Sequence, residues 1–423
     1  MKVRIRWERP SQRHILIATR DSALVSEQSR PDEFEFLFNG RRVRARANDT
    51  IATALVREGV HVFSRSLKFH RPRGFYCGSG RCISCSMRVD GVPGVRTCVT
   101  RAQPGMVVES EGGFPSTRWD MLSVLDSIFR KEFDYQHRFI RPAFMAPLYQ
   151  RVVRRLASSS RVPDRPLDFP PIARKSCDVL IVGNGVSGSV AHERLRRAGV
   201  RSIDVIDRRM GWTGATPPFA FGYYETGEVA TVSENGIWLI RPKALLIATG
   251  RAETGLPLPG GDLPGVMLPE AIHQLASRGI RPGERAVVVG HNELRDRVFK
   301  ELHACDTELV GEYRDPRQVE RVLGRKRVVG VRLTEGGSTN RLVKCDLLVT
   351  LGPMVPCVEL AFQAGCELVC PDGVWSVKVD SEGRTSVPGV FACGGAIGLV
   401  RSEDRISSAE AAASGILTYL EVA

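Results

Sequence analysis

At 423 residues, 43% hydrophobic and 25% charged, the chain has the composition of a globular protein with room for two or three domains. Its 60 basic and 47 acidic side chains give a net charge of +13, but the arginines are scattered rather than massed beside aromatics. That pattern argues against nucleic-acid binding and for a solvated surface that docks acidic partners.

The N-terminus has basic residues with no apolar stretch after them, and no apolar run approaches the ~20 residues that cross a bilayer. A cytoplasmic location without a membrane span is the expectation. Residues 1–33 are polar and aperiodic and read as a poorly ordered extension. From Phe34 two alternating runs flank Asn39-Gly40, the signature of a hairpin with a type I′ turn. Asn48-Asp49-Thr50 is a cap signal for an apolar-striped helix ended by Gly59.

The stretch Ser64 to Cys98 carries the chemistry. Cys77, Cys82 and Cys85 follow the spacing C-x4-C-x2-C, and Cys98 returns after twelve more residues. This is the plant-type pattern for a 2Fe–2S cluster, in which four thiolates converge on two bridged irons. Gly78 and Gly80 allow the loop to curl, and their amides, with Ser79 and Ser84, are candidate donors to the sulfurs. A structural zinc site is the alternative, although zinc sites pair two C-x2-4-C knuckles and only Cys82 and Cys85 form one here. Arg71, Arg73, Arg81, Arg88 and Arg96 lie in or beside the loop and could raise the cluster's potential or dock a partner. The other seven of the eleven cysteines, Cys177, Cys305, Cys345, Cys357, Cys366, Cys370 and Cys393, read as small buried hydrophobes.

Hairpin, helix and cysteine loop in that order predict a β-grasp domain over 34–113, closing near Val107 to Glu111. Residues 114–170 read as a helical, aromatic-rich bridge and a Pro-stiffened connector. A dinucleotide-binding domain of 171–252 and 345–423 follows, interrupted by a second Rossmann-like domain at 253–344. The expected fold class is therefore α/β plus α+β: a β-grasp domain ahead of a shortened two-dinucleotide-domain Rossmann fold.

An apolar strand from Cys177 runs into Gly183-Asn184-Gly185-Val186-Ser187-Gly188, a helix, and a second strand ending at Asp207. Here G-x-G-x-x-G has its full βαβ context. Gly183 makes the turn, Gly185 admits a pyrophosphate, Gly188 lets helix and strand pack, and Asp207 suits ribose hydroxyls. A further buried strand ends in the tight turn at Gly250. From Arg285 the pattern repeats, but its turn reads Gly290-His291-Asn292-Glu293-Leu294-Arg295. The later glycines are gone and Glu293 would face phosphates, so this unit is expected to be architecture without a nucleotide.

These segments resemble the α subunit of heterotetrameric sarcosine oxidase and its relatives, the proline, hydroxyproline and opine dehydrogenases and hydrogen cyanide synthase. The resemblance rests on Arg65 through Gly74, Phe114 through Asp120, Phe221 through Glu225, Ala248-Thr249-Gly250 and Leu263 through Met267. It implies an electron-transfer subunit of a hetero-oligomer whose β-type flavoprotein partner oxidises an amine or imino acid on its own FAD. Electrons would leave that flavin through the 2Fe–2S cluster to an electron acceptor. The resemblance also implies FAD, or alternatively NAD or ATP, on Gly183, Gly185, Gly188, Asp207 and Gly250, and FMN at the interface with the partner. The chain departs from the family in a shortened segment between Asp207 and Phe221, and in Gly394-Gly395 where a Gly-Asp is expected.

Two other readings stay open: a stand-alone pyridine-nucleotide reductase, and a non-catalytic scaffold with a structural nucleotide. No Ser/His/Asp grouping or catalytic carboxylate pair is visible. His70 and Lys68 read as structural parts of the cluster domain, although either could approach an interface flavin.

Overall fold

The computed structural model describes residues 33–66, 70–113, 116–123, 147, 163, 171–208, 218–233, 236–335 and 339–422. The extension, most of the bridge and connector, Lys68 and the core of the shortened segment lie outside the described residues.

In the first domain, β1 (Glu33–Phe38) and β2 (Arg41–Arg46) pair antiparallel. Asn39 and Gly40 both take positive φ (47° and 75°), as a type I′ turn demands. Strand alternation buries Phe36, Phe38, Val43 and Ala45 and leaves the intervening charges in water. Helix α1 (Ile51–Arg57) starts at Thr50, whose side chain accepts the Thr53 amide while Thr53 returns the bond to the Thr50 backbone. The chain continues into β3 (Ser86–Val89), β4 (Val92–Arg96) and β5 (Val107–Ser110), giving the sheet order β2-β1-β5-β3-β4. Strand β5 pairs parallel to β1 and antiparallel to β3. This is the β-grasp arrangement.

The second domain is built on β6 (Ile172–Val182), α2 (Val186–Arg197), β7 (Ile203–Ile206), β8 (Phe219–Tyr223), β9 (Val229–Ser233) and β10 (Gly236–Ile247). Its sheet runs β8-β9-β10-β6-β7. Residues 179–182 and 244–247 are continuous apolar runs because helices or loops cover both faces there.

The third unit contains β11 (Val266–Met267), α3 (Pro269–Ala276), β12 (Arg285–Gly290), α4 (Arg295–Ala304) and β13 (Glu308–Tyr313). An antiparallel ladder of β14 (Val319–Gly324), β15 (Val328–Glu335) and β16 (Thr339–Val343) follows, then β17 (Leu347–Leu351). Beyond it lie α5 (Glu359–Gln363), β18 (Val390–Ala392), which pairs parallel to β10, and the closing helix α6 (Ser402–Val422).

One boundary differs from expectation. The sequence reading opens the returning segment at 345, yet β17 lies between β11 and β12 in the parallel sheet β11-β17-β12-β13 of the inserted unit. An all-apolar strand buried on both faces carries no mark of which sheet it will join.

The β-grasp domain is not a separate bead. Its core is continuous with α3, α4, β12 and β17 of the inserted unit. Asp49, 1% exposed, anchors this junction: its carboxylate accepts the Arg46 amide, pairs with Arg57, and lies 4.0 Å from Arg278 of the inserted unit. Asp49→Ala is expected to lower stability by about 3 kcal/mol, because two half-buried guanidinium groups lose a common partner. Thermal denaturation of the purified variant checks this value. Among the described residues no helix is long and apolar enough to cross a membrane.

Candidate functional site

The cysteine loop leaves a short strand pair formed by Ser64–Arg65 and Pro72–Arg73, and it re-enters the sheet at β3. Gly78 and Gly80 both take positive φ (64° and 72°), which turns the chain back on itself. A Cβ at Gly78 would meet the Ala271 backbone at 2.8 Å, so α3 can press against the loop only because no side chain is there. The Leu268 amide donates to the Tyr76 carbonyl (2.9 Å), fixing the same contact.

Cys77, Cys85 and Cys98 are buried and Cys82 is half-buried. The four thiols interact with one another: Cys77 with Cys82 and Cys98, and Cys98 also with Cys85. Hydrogen bonds from Cys82 and Cys98 hold the Cys77 thiol far below its usual range, and the Cys98 bond lowers Cys85. Those same bonds, reinforced by burial, raise Cys82 and Cys98. Backbone amides complete the cradle: Gly80 donates to the Cys98 sulfur (3.3 Å), Ser79 to Cys77 and Ser84 to Cys82. Among the described residues no three His, Cys, Asp or Glu side chains are arranged to hold a single ion. Four thiolates with backbone amides aimed at their sulfurs are the donor set of a two-iron cluster. The cradle fits the cluster.

The arginines around the loop are mostly neutralised. Arg88 and Glu111 are a buried pair at 3.6 Å. Arg73 and Arg71 share Asp262, at 2.8 and 3.9 Å, and Arg81 pairs with Glu359 at 3.2 Å. Arg96 bonds to the Gly94 carbonyl and the Ser86 hydroxyl. Their combined pull on a cluster is therefore smaller than the sequence suggests, since each carboxylate offsets a guanidinium at similar range. His70 is a structural residue: it is 2% exposed, and its Nδ1 lies 3.0 Å from Asp120, which Arg65 also approaches at 3.7 Å.

The nucleotide residues come together through strand register. Val182 lies opposite both Ile206 and Ile247, and Ile247 opposite Ala392, so the carboxyl ends of β6, β7, β10 and β18 are level. Gly183, Asp207 and the Ala248-Thr249-Gly250 turn emerge at one edge, the crevice in which α/β sheets bind nucleotides. A Cβ at Gly183 would lie 2.1 Å from the Ala248 carbonyl oxygen, and one at Gly188 only 1.8 Å from the Gly183 oxygen. Around Gly185, the N-cap of α2, a Cβ would meet nothing within 4 Å. Two glycines thus serve packing, and the third leaves open space at a helix N-terminus, where a pyrophosphate fits. The Asp207 carboxylate accepts the Asn184 amide at 2.6 Å, which holds the acid beside the turn.

The missing acid at Gly394-Gly395 has a steric cause. A Cβ at Gly395 would lie 2.9 Å from both the Arg251 stem and Gly250. Arg251, whose side chain is 8% exposed, takes that space, and its Nε is a buried donor without a partner among the described residues. An anion suits this rim.

Glu293 does not face a phosphate. It ion-pairs with Arg251 and, at 3.4 Å, with Arg405, both from the dinucleotide domain. Aligned on Gly183 and Gly290, the two turns differ further. Helix α2 starts three residues after its glycine, but α4 starts five after, at Arg295. The extra residues fill the helix end: the Asn292 side chain accepts the Leu294 amide (2.9 Å), and Arg295, in the place of the third glycine, forms a bidentate pair with Glu312 at 2.6 and 2.8 Å. His291 is exposed. Among the remaining cysteines, Cys370 is exposed and Cys305 half-buried, contrary to the expectation that all are core. Cys357 is buried but receives a hydrogen bond from Arg81 at 2.8 Å, a contact with no local signature.

Residues 32–113 match the sequence family described as a 2Fe-2S iron-sulfur cluster binding domain. Sarcosine oxidase subunit alpha of Rhizobium meliloti is 26% identical over 435 aligned residues, covering 85% of this chain and 43% of its own length. Hydrogen cyanide synthase subunit HcnA of Pseudomonas aeruginosa is 37% identical over 82 residues, covering 19% of this chain and 74% of its own. The chain therefore spans less than half of the first relative and most of the second. The crystal structure of L-proline dehydrogenase from P. horikoshii shares the fold, with TM-score 0.66 and 18% identity over 92% of this chain and 74% of that one.

Proposed function

The chain belongs to the family of the sarcosine oxidase α subunit and the hydrogen cyanide synthase subunit HcnA, and from that premise we propose that it is the iron–sulfur and nucleotide-binding subunit of a heteromeric amine or imino-acid dehydrogenase. Cys77, Cys82, Cys85 and Cys98 are the proposed cluster ligands. Gly183, Gly185, Gly188, Asp207 and Gly250 would hold the adenosine-diphosphate part of FAD, or of NAD or ATP. The cluster, when bound, supplies one-electron exchange. The chain's own part is to bury the thiolates, orient amides toward them and keep the nucleotide at the adjoining crevice.

One observation carries the reading. The second Rossmann unit has its helix end occupied by Asn292, Glu293 and Arg295, which leaves that unit without the open helix N-terminus a pyrophosphate needs. On this reading reducing equivalents come from another chain, a β-type flavoprotein with its own FAD and with FMN at the shared interface.

Mixing the isolated, cluster-loaded chain anaerobically with NADH or NADPH is expected to leave its visible spectrum unchanged. Adding substrate amine to the complex purified with its flavoprotein partner is expected to bleach it. Bleaching by NADH alone would establish the stand-alone reductase instead.

A further inference from the structure

The cluster loop and the nucleotide crevice touch at two points. Arg208, the residue after Asp207, donates to the Ser79 carbonyl at 2.8 Å. Arg81, beside Cys82, reaches across to the Cys357 sulfur at 2.8 Å and to Glu359 at 3.2 Å. Cys357 is tied in turn to the crevice: its amide donates to the Gly250 carbonyl at 3.0 Å, and the Thr249 hydroxyl donates to the Cys357 carbonyl at 2.7 Å. Two guanidinium groups thus tie the cysteine loop to the segments that border the crevice.

We propose that Arg81 and Arg208 are positioning residues that couple nucleotide binding to the redox state of the cluster. Both sites are anionic and both draw on the same two cations. A nucleotide phosphate attracts Arg208 away from Ser79, which withdraws positive charge from beside the cluster. One electron added to the cluster strengthens its own hold on the arginines and weakens theirs on the nucleotide. Linkage makes the two effects equal. The inference rests on the reading of the Gly183 crevice as a dinucleotide site.

The test uses the full chain with its cluster and ADP-ribose, which carries the pyrophosphate and no redox group. Its dissociation constant is measured for oxidised and for dithionite-reduced protein, and the cluster's midpoint potential is followed by EPR with and without ADP-ribose. Binding is expected to be about fivefold weaker to the reduced protein. The potential should fall correspondingly by about 40 mV, at ~59 mV per tenfold for one electron.

The double variant Arg81→Gln, Arg208→Gln should keep its iron and bind ADP-ribose when oxidised. Its difference between redox states should be less than about twofold, because direct repulsion across a wet gap is largely screened. Equal binding to both states in the unmodified chain, or an undiminished shift in the double variant, would overturn the coupling alone. Absence of binding in either state would overturn the dinucleotide reading and the coupling with it.

Discussion

Cys98→Ser is expected to empty the cluster site while leaving the domain folded. Cys98 comes from outside the tight loop, two residues beyond β4, and its sulfur accepts the Gly80 amide and bonds to both Cys77 and Cys85. A serine oxygen is a harder and less acidic ligand, and it is shorter in reach, so a cluster held by the four proposed cysteines would lose one of its four protein ligands. Iron and acid-labile sulfide per chain should fall at least about tenfold, with loss of the EPR signal of the reduced protein. The burial of a hydroxyl costs about 1–3 kcal/mol, which the circular dichroism melt will register as a modest shift. Cys393→Ser is the matched control. Cys393 is fully buried, and burial pushes its thiol up to about 12, so it is an inert core residue. That variant should take the same stability loss and keep its iron. Retention of both irons in Cys98→Ser would remove Cys98 from the ligand set.

The second large effect separates two glycines three residues apart in the nucleotide turn. Gly188→Ala puts a Cβ 1.8 Å from the Gly183 carbonyl oxygen, a contact that only backbone movement can relieve. Helix α2 must lift from β6, and stability should fall by about 3 kcal/mol as packing around Ala191 and Leu195 loosens. Gly185→Ala meets no protein atom within 4 Å and should leave the melting temperature unchanged. Its methyl group would instead enter the space assigned to the pyrophosphate, and dinucleotide affinity should fall about a hundredfold, a cost of roughly 3 kcal/mol. Calorimetric titration with FAD, NAD and ATP, beside thermal melts of both variants, reads the contrast. Unchanged affinity in Gly185→Ala would move the ligand elsewhere.

Both experiments address residues that were legible without coordinates. Cysteine spacing reports where thiolates converge because a loop of nine residues, Cys77 to Cys85, has few ways to present three sulfurs. Asn39-Gly40 announces its turn because few residue pairs tolerate positive φ twice. The Gly183 turn is readable because each glycine answers a local steric demand. Other features had no such mark. Arg251 replaces an expected acid only because Gly395 leaves room for its stem, and this shows only once β10 and the segment after β18 lie side by side.

What the amino-acid order determined by itself was therefore the set of local units: the β-grasp elements, the cysteine loop, and two strand–turn–helix units, one intact in its glycines and one not. Tertiary structure alone decided how those units meet. It set β17 into the inserted sheet, turned Glu293 toward Arg251 across 42 positions, and brought Arg81 to Cys357 across 276. The physical reason is range. Backbone sterics and side-chain periodicity act within a few residues and leave a pattern in the sequence. An ion pair or strand partner between distant segments depends on which surfaces pack, and no short stretch of chain records that choice.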